Sequence, residues 1–193
     1  FQLMKPSEQQ DTAVAHIKAA TLIESLDWLK QFHGKTVVIK FGGNAMVDQA
    51  LQQAFAQDVA YLRWVGIKPV VVHGGGPQIS ARLNELGLES EFRGGFRVTN
   101  SETVQIVRDV LRDQIGTPLA ALITAQGAKA RVMSGEDSNL FLAERIPAEI
   151  DGVPVDIGLV GEVIQVNPRI VFEALDSGEV PVISTVAPSA TGE

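Results

Sequence analysis

Apolar residues near the start of the chain recur every three or four positions, which is the spacing of an α-helix. Over residues 12–33 these positions form one stripe, made of Ala15, Ala19, Leu22, Leu26, Leu29 and His33. Gly34 follows, and glycine commonly ends a helix at this position. Ile23 and Trp28 lie off the stripe, so the helix has a second apolar face. We expect this second face either to contact another protein chain or to help dock the helix on its own domain.

Downstream of this helix, short apolar runs alternate with helical patterns. Five runs predict strands, at residues 36–41, 68–73, 130–133, 160–166 and 180–186. Ile150–Val153 has the Asp-Gly centre of a hairpin turn. Asp48 and the capping box at Thr99–Glu102 begin two of the predicted helices. The helices are expected at residues 48–65, 77–87, 99–115, 117–126 and 167–178. This alternation predicts a single α/β unit, a three-layer fold with a mainly parallel sheet and helices on both faces.

Composition excludes several classes of protein. The chain has 193 residues, of which 45% are hydrophobic and 20% charged, and this is too apolar for a disordered chain. Its net charge of −7 and its lack of Lys/Arg clusters argue against a nucleic-acid partner. No apolar run approaches the roughly 20 residues of a membrane span, and the lack of cysteine excludes disulfides and thiolate metal sites. The N-terminal residues lack the apolar stretch of a secretory signal, so we expect a cytoplasmic protein.

Glycine is the residue type that points to a binding site. Five glycine clusters punctuate the chain, in KFGGN, HGGGP, RGGF, SGED and DIGLVGE. Such clusters after apolar runs are typical of places where the backbone approaches a ligand closely. Gly42-Gly43 and Gly74-Gly75-Gly76 follow consecutive predicted strands. Because ligands bind beyond the carboxyl ends of parallel strands, we expect both turns at one edge of the sheet, where their N–H groups can bind anions.

Two cationic residues accompany these turns. Lys40 precedes Gly42-Gly43 and would place a point charge beside them, and Arg97 follows Gly94-Gly95 and offers a planar fork for a carboxylate. Two anion pockets with a cation between them are what phosphoryl transfer to an acid requires. Taken singly, each cation is more typical of a solvated surface residue, and the triple glycine is equally typical of a strand-to-helix turn. Neither a Rossmann nor a Walker glycine motif is present.

Two other polar sites have simpler interpretations. His73 follows three valines, so we expect a buried histidine with satisfied hydrogen bonds rather than a catalytic base. Glu136-Asp137 could pair on Mg²⁺, but an exposed acidic turn is the expected structure, and no metal site is predicted.

Six motifs, taken together and in this order, resemble the N-acetyl-L-glutamate kinase family: IKFGGNAM, VVVHGGGPQIS, GFRVTNSET, SGEDSNLF, DIGLVGEV and VPVISTVAP. Lys-x-Gly-Gly is shared with the wider amino-acid-kinase superfamily, whereas HGGGPQI with GFRVT and DIGLVGEV is far more specific. The resemblance extends from residue 12 to the end of the chain. It implies an amino-acid-kinase fold and ATP-dependent phosphorylation of the γ-carboxylate of N-acetylglutamate, a step of arginine biosynthesis, with Mg²⁺ arriving together with ATP.

The resemblance also implies a role for each candidate residue. Lys40 would stabilise the transferring phosphoryl group, and Gly42-Gly43 would approach the nucleotide phosphates. Gly75-Gly76 would supply backbone donors to acetylglutamate, and Arg97 would hold its α-carboxylate. No general base would be required, because one anion is positioned against another.

The resemblance divides the chain into two parts. Residues 1–34 resemble the extension helix of arginine-inhibited, hexameric family members, and residues 35–193 resemble the acetylglutamate-binding N-terminal lobe. The implied partners are therefore acetylglutamate, ATP, further copies of the chain in a dimer or hexamer, and L-arginine as a candidate feedback inhibitor.

Family members continue where this sequence stops. Shortly after the VISTVAP motif they carry an Asn and an Asp of the active site, and then an ATP-binding lobe with a second catalytic lysine. We therefore expect residues 1–193 alone to be inactive, and the strand at 180–186 to have an open edge prone to association. Two hypotheses of different class remain: the substrate lobe of a kinase, and a non-catalytic module that binds an acylated amino acid or supports assembly. The kinase-like domain of acetylglutamate synthase is a further enzymatic rival.

Overall fold

The computed structural model describes the backbone of residues 6–192 and, Asn44 apart, the side chains from Thr12 to Gly192. In chain order the strands are β1 (Thr36–Phe41), β2 (Lys68–His73), β3 (Phe92–Arg93), β4 (Phe96–Arg97), β5 (Ala130–Ser134), β6 (Phe141–Arg145), β7 (Ala148–Ile150), β8 (Val153–Val155), β9 (Gly161–Val166) and β10 (Val180–Ser184). The helices are α1 (Pro6–Phe32), α2 (Gln49–Trp64), α3 (Gly76–Glu85), α4 (Ser101–Asp109), α5 (Thr117–Ala125) and α6 (Arg169–Asp176). Both strands predicted at 36–41 and 68–73 are confirmed at both ends.

Four of the strands form a parallel sheet in the order β1, β2, β10, β5. Helices cover both faces, which confirms the predicted three-layer α/β fold. On one face the sheet residues Val71, Val180 and Val182 pack in a core with α2 to α5. On the other face, alternate residues of the same strands pack with α6, in a core of Val70, Met133, Leu140, Val171, Ala174, Leu175 and Ile183.

The carboxyl ends of the four strands lie at one edge of the sheet. Phe41 of β1 is opposite His73 of β2, and Ser184 of β10 is opposite both His73 and Ser134 of β5. The glycine turns that follow β1 and β2 therefore lie side by side, as the alternation of strands and helices predicted.

The last strand is an internal strand, and the expectation that it would have an open edge is wrong. β10 pairs with β2 on one side and with β5 on the other, and all five of its residues are buried. The edges of the four-stranded sheet are β1 and β5, and Val38 of β1 is 66% exposed. The chain inserts its final strand between two earlier ones, an order that apolar runs alone do not reveal.

Within residues 6–192, three two-stranded antiparallel ribbons lie outside the main sheet, namely β3–β4, β6–β9 and β7–β8. The hairpin predicted at Ile150–Val153 is confirmed, and its central residues Asp151 and Gly152 have φ of 52° and 76°. β6 has no counterpart among the predicted strands. Helix α4 begins one residue later than its predicted capping box, because Asn100 is the residue whose side chain accepts from Thr103 N.

A seven-residue π-helical segment, Val110–Gly116, connects α4 to α5. The predicted restart of a separate helix at Thr117-Pro118 is wrong, because Gly116 and Thr117 keep helical backbone angles and the run continues from α4 into α5. The wider turn accommodates Pro118, which has no N–H to donate. The widened turn buries Leu111 and Ile115 beside the carboxyl edge of the sheet.

Helix α1 is longer than predicted and mostly exposed. Its base is held near the end of α2, where Gly34 N donates to Gly66 O at 2.7 Å and His33 Nδ1 lies 3.2 Å from Val65 O. Leu22 on the predicted stripe is 67% exposed, and Trp28 on the second face is 65% exposed. Above its base, where Leu29 is half-buried, both apolar faces of the helix are therefore left largely uncovered by the rest of the described chain.

Within residues 6–192, no helix combines the length and the apolar character needed to cross a membrane.

Candidate active site

Lys40 is the second-to-last residue of β1 and pairs in register with Val72 of β2. Its side chain is exposed at the carboxyl edge of the sheet. The next residue, Phe41, is buried against Phe55 of α2, with ring centroids 4.2 Å apart. This packing anchors the strand end, so that Lys40 stands at a defined position beside the first glycine turn.

The first glycine turn leaves space beside its backbone. Gly43 has a φ of +66°, a conformation that glycine adopts without strain, and it begins a short 3-10 turn. A Cβ placed on Gly42 or Gly43 would meet no described atom within 4 Å. A phosphate group could therefore approach this backbone closely.

Two glutamine side chains link the first glycine turn to helices α2 and α3. Met46 O, at the end of the first turn, accepts from Gln52 Nε2 at 2.6 Å and from Gln78 Nε2 at 2.9 Å. Gln52 belongs to α2 and Gln78 to α3, the helix that follows the second turn. Neither glutamine was a candidate from the sequence, because a single Gln within a helical pattern carries no signal of its own.

The second glycine turn combines a packed residue with an open one. A Cβ on Gly75 would lie 2.4 Å from Ile115 Cδ1 and 2.7 Å from Leu111 Cδ2, so this glycine allows the π-helical segment to pack against the turn. A Cβ on Gly76 would meet no described atom within 4 Å. Gly76 is the first residue of α3, which begins without a capping hydrogen bond from a described side chain. Its first N–H groups are therefore available to an anion.

His73 lies beneath this turn and is 1% exposed. Its Nδ1 is 3.1 Å from Gly74 O, and because a carbonyl oxygen only accepts, this bond requires the tautomer with a proton on Nδ1. Burial lowers the pKa of His73, so the ring is neutral near pH 7. The prediction of a buried histidine is confirmed, but the prediction of full hydrogen bonding is wrong. Nε2 has no partner in the described part of the chain.

Arg97 of β4 approaches the second glycine turn from the β3–β4 ribbon. Its Nη2 donates to Ser80 Oγ at 2.7 Å and to Gly76 O at 3.3 Å, and its Nη1 donates to Ser90 Oγ. The guanidinium carbon lies 4.6 Å from the centroid of the Phe92 ring. Burial lowers the pKa of Arg97, which means that the charge has lost hydration and is favoured by a bound anion.

Arg97 retains hydrogen-bond donors that a substrate carboxylate could use. A guanidinium has five N–H donors, and three hydrogen bonds to described residues engage it. One donor remains on Nε and one on Nη1, so a carboxylate can still accept a charge-assisted hydrogen bond from the guanidinium. Arg97 is thus half-buried at the site rather than a solvated surface arginine.

The acidic pair Glu136-Asp137 is paired with arginines. Arg108 Nη2 lies 3.0 Å from Glu136 Oε1, and Arg112 Nη1 lies 3.6 Å from Asp137 Oδ2. Glu136 and Asp137 are half-buried, so the expectation that this acidic turn is exposed is wrong. Among the described side chains, no group of three or more His, Asp or Glu residues is arranged to hold a metal ion.

Two of the glycine clusters serve the protein's own packing instead of a ligand. A Cβ on Gly135 would lie 2.3 Å from Val186 O, and one on Gly158 would lie 2.1 Å from Thr99 O. Gly161 likewise approaches Glu144 O, at 2.5 Å. The clusters SGED and DIGLVGE therefore permit close contacts between backbone segments, contrary to the expectation that each cluster marks a ligand.

Two cavities lie away from Lys40 and the two glycine turns. One of about 340 Å³ lies between α4 and the β6–β9 ribbon, and another of about 160 Å³ lies where β5 and β10 end at Ser134 and Ser184. Neither is lined by Lys40 or by the two glycine turns. The candidate site is thus an open edge, with Lys40 and one glycine turn on one side and the second turn with Arg97 on the other.

Comparison with known proteins identifies relatives of this arrangement. Residues 35–193 match the amino acid kinase family. The acetylglutamate kinase of Clavibacter michiganensis is 54% identical over 186 residues, which cover 96% of this chain and 61% of that protein. The acetylglutamate kinase of Saccharopolyspora erythraea is 55% identical over 175 residues, which cover 91% of this chain and 58% of that protein. The chain thus spans about three fifths of the length of these curated relatives.

A solved structure shares the fold at lower identity. The N-acetylglutamate synthase from Neisseria gonorrhoeae, crystallised with coenzyme A and N-acetyl-glutamate, matches with a TM-score of 0.74 and 20% identity. The match covers 91% of this chain and 39% of that chain. At this level of identity the comparison concerns the fold alone.

Proposed function

The chain belongs to the amino acid kinase family, and we propose that it contributes the acetylglutamate-binding site of an acetylglutamate kinase. The proposed reaction is ATP-dependent phosphorylation of the γ-carboxylate of N-acetyl-L-glutamate. One observation carries the proposal above the others. Nη2 of Arg97 donates to the carbonyl of Gly76 at 3.3 Å, so a cation that can bind a carboxylate lies beside the first turn of α3, where the helix start has no side-chain cap among the described residues.

The substrate would bind through its two ends. Arg97 would hold the α-carboxylate with a remaining donor, and Gly75-Gly76 would direct backbone N–H groups at the other polar groups of acetylglutamate. The tight packing of Gly75 against Leu111 and Ile115 supports a fixed turn, and the open face of Gly76 supports close approach of a ligand. The γ-carboxylate would then extend along the sheet edge toward β1.

The phosphoryl donor would lie over the first turn. Gly42-Gly43 would approach the phosphates of ATP, and Lys40 would stabilise the phosphoryl group in transfer. An oxygen of the γ-carboxylate forms a bond to the γ-phosphorus while the bond from that phosphorus to the bridging oxygen breaks, and ADP leaves with those electrons. The attacking carboxylate is already an anion, so positioning and charge neutralisation carry the catalysis and no general base is needed.

Mg²⁺ would accompany ATP in the proposed reaction and would supply charge neutralisation on its phosphates. The described side chains do not gather three potential ligands, so no step is assigned to a metal held by this chain.

Calorimetry on the full-length encoded protein tests the substrate assignment. Acetylglutamate should bind, unacetylated glutamate should bind more weakly, and Arg97→Ala should weaken acetylglutamate binding while leaving ATP binding nearly unchanged. Lack of any binding by the wild-type protein would refute the substrate. Binding without ATP-dependent turnover would instead favour the non-catalytic module.

We also propose that α1 contacts a second copy of the chain. Its apolar residues Leu22, Ile23 and Trp28 are each at least 65% exposed, and such a surface is covered in most stable proteins. The family resemblance makes this contact the one that joins dimers into a hexamer, and L-arginine as inhibitor rests on the same resemblance. Light scattering of the full-length protein without residues 1–33 should show a smaller assembly, whereas an unchanged mass would contradict the contact.

A further inference from the structure

The guanidinium of Arg97 is held from three directions. Ser80 belongs to α3, Ser90 to the loop before β3, and Phe92 to β3 itself. The two hydroxyls accept hydrogen bonds from different guanidinium nitrogens, and the ring of Phe92 lies against the guanidinium plane. A long, flexible side chain is in this way fixed in one orientation by residues of the chain itself.

Ser80 shares its arginine contact with the first residue of α3. It lies one helical turn after Gly76, so Ser80 Oγ and Gly76 O are neighbours on the same face of α3. Both accept from the same nitrogen of Arg97, at 2.7 Å and 3.3 Å. A helical serine commonly donates back to the carbonyl four residues earlier, whereas the contact seen here is the one in which Ser80 Oγ accepts from Arg97.

We propose that Ser80 is a positioning residue, which aims the Arg97 guanidinium so that a remaining donor meets the substrate carboxylate. This inference rests on the proposed function, because it assigns Ser80 a part in binding the same substrate. Helix α3, as one rigid element, then contributes to substrate binding in two ways. Its first residue presents the open N–H end to the substrate, and its second turn sets the direction of the arginine.

We expect the hydroxyl of Ser80 to affect the binding of acetylglutamate but not the phosphoryl-transfer step. Ser80 contacts the guanidinium at 2.7 Å, and the α-carboxylate held by Arg97 is remote from the transferred phosphoryl group. Loss of the hydroxyl should therefore raise KM for acetylglutamate about tenfold and leave kcat and KM for ATP within about twofold, since a hydrogen bond to a charged group accounts for such a factor.

Steady-state kinetics on the full-length protein provide the test, with Ser80→Ala as the main variant. Ser80→Thr keeps a hydroxyl and should restore KM to within about twofold of wild type. Ser177→Ala is the matched control, because Ser177 is exposed beside Asp176, whose carboxylate pairs with Lys68 at the opposite edge of the sheet. An unchanged KM in Ser80→Ala, or a loss in Ser80→Thr equal to that in Ser80→Ala, would overturn the proposal.

A double variant separates positioning from general structure. In an Arg97→Lys background the planar fork is absent, so Ser80→Ala should have little further effect on KM. An undiminished tenfold effect in that background would give Ser80 a role independent of Arg97 and contradict the inference.

A measurement independent of substrate distinguishes this proposal from the proposed function. NMR of arginine side chains should show slow rotation of the Arg97 guanidinium in wild type and faster rotation in Ser80→Ala. If wild type does not act on acetylglutamate, the proposed function fails, and this rotation still reports whether Ser80 holds Arg97. Equal rotation in both proteins would refute the positioning role whatever the substrate is.

Discussion

Replacing Gly76 by alanine separates a ligand-binding glycine from a structural one. The added methyl group would enter space that no described atom occupies within 4 Å, at the first position of α3. Gly76 has no positive φ, so alanine can adopt its backbone conformation. A Gly→Ala change at such a position stabilises a protein by about 0.4–1 kcal/mol, because it restricts the unfolded chain.

The same methyl group would lie where the proposed substrate contacts the helix start. Displacing an anion from one charge-assisted hydrogen bond costs roughly 1.5–3 kcal/mol, which corresponds to a rise of about 10–150-fold in Kd. We therefore expect Gly76→Ala to keep or slightly raise the Tm of the full-length protein while weakening acetylglutamate binding by at least tenfold.

Gly75→Ala is the matched comparison. Its methyl group would lie 2.4 Å from Ile115 Cδ1, and such overpacking costs about 1–3 kcal/mol of the free energy of unfolding. Thermal unfolding followed by circular dichroism should therefore show a lower Tm for Gly75→Ala than for wild type. Calorimetry with acetylglutamate completes the comparison. Normal acetylglutamate affinity in a folded Gly76→Ala protein would refute the assignment of this open face to the substrate.

Three other variants test separate parts of the site. Lys40→Ala should lower kcat by a factor on the order of 10²–10³, as expected for loss of a preorganised charge at the transition state, and steady-state kinetics with only a raised KM for ATP would exclude that role. Arg97→Ala should weaken acetylglutamate binding by roughly 1.5–3 kcal/mol in calorimetry, and an unchanged affinity would return Arg97 to a structural role between α3 and the β3–β4 ribbon. Because the pKa of His73 is lowered in the folded chain, the unfolded chain binds the proton first, and the free energy of unfolding should fall as the pH drops below the ordinary value of 6.5. In denaturant titrations His73→Asn should lose less stability between pH 7 and pH 5 than wild type does, and parallel pH profiles would contradict the assignment.

Local patterns were sufficient to predict most of the elements and the place of the candidate residues. β-Branched runs that end in glycine marked β1 and β2, and the parallel alternation correctly placed Lys40 and the two glycine turns at one edge of the sheet. These inferences succeeded because buried parallel strands need continuous apolar runs and because sharp turns need glycine. The roles assigned to these residues remain predictions.

Features that depend on distant parts of the chain could not be predicted in this way. The insertion of β10 between β2 and β5 is a choice of strand order, which each strand's own sequence leaves open. Thr99 and Asn100 are both good capping residues, and the helix starts after Asn100 because Thr99 forms a bridge with Gly158. Gln78 and Ser80 acquire their contacts only when α3 meets residues far away in sequence.

Formation of an acyl phosphate from acetylglutamate tests the central claim most directly. The full-length protein is incubated with ATP, Mg²⁺ and acetylglutamate, and hydroxylamine traps the activated acyl group as a hydroxamate. We expect a hydroxamate that requires both substrates, that is reduced to background by Lys40→Ala, and that is not formed from unacetylated glutamate at the same concentration. A protein that binds acetylglutamate but yields no ATP-dependent hydroxamate, or yields the same amount with Lys40→Ala, would contradict the assignment of this sheet edge to phosphoryl transfer.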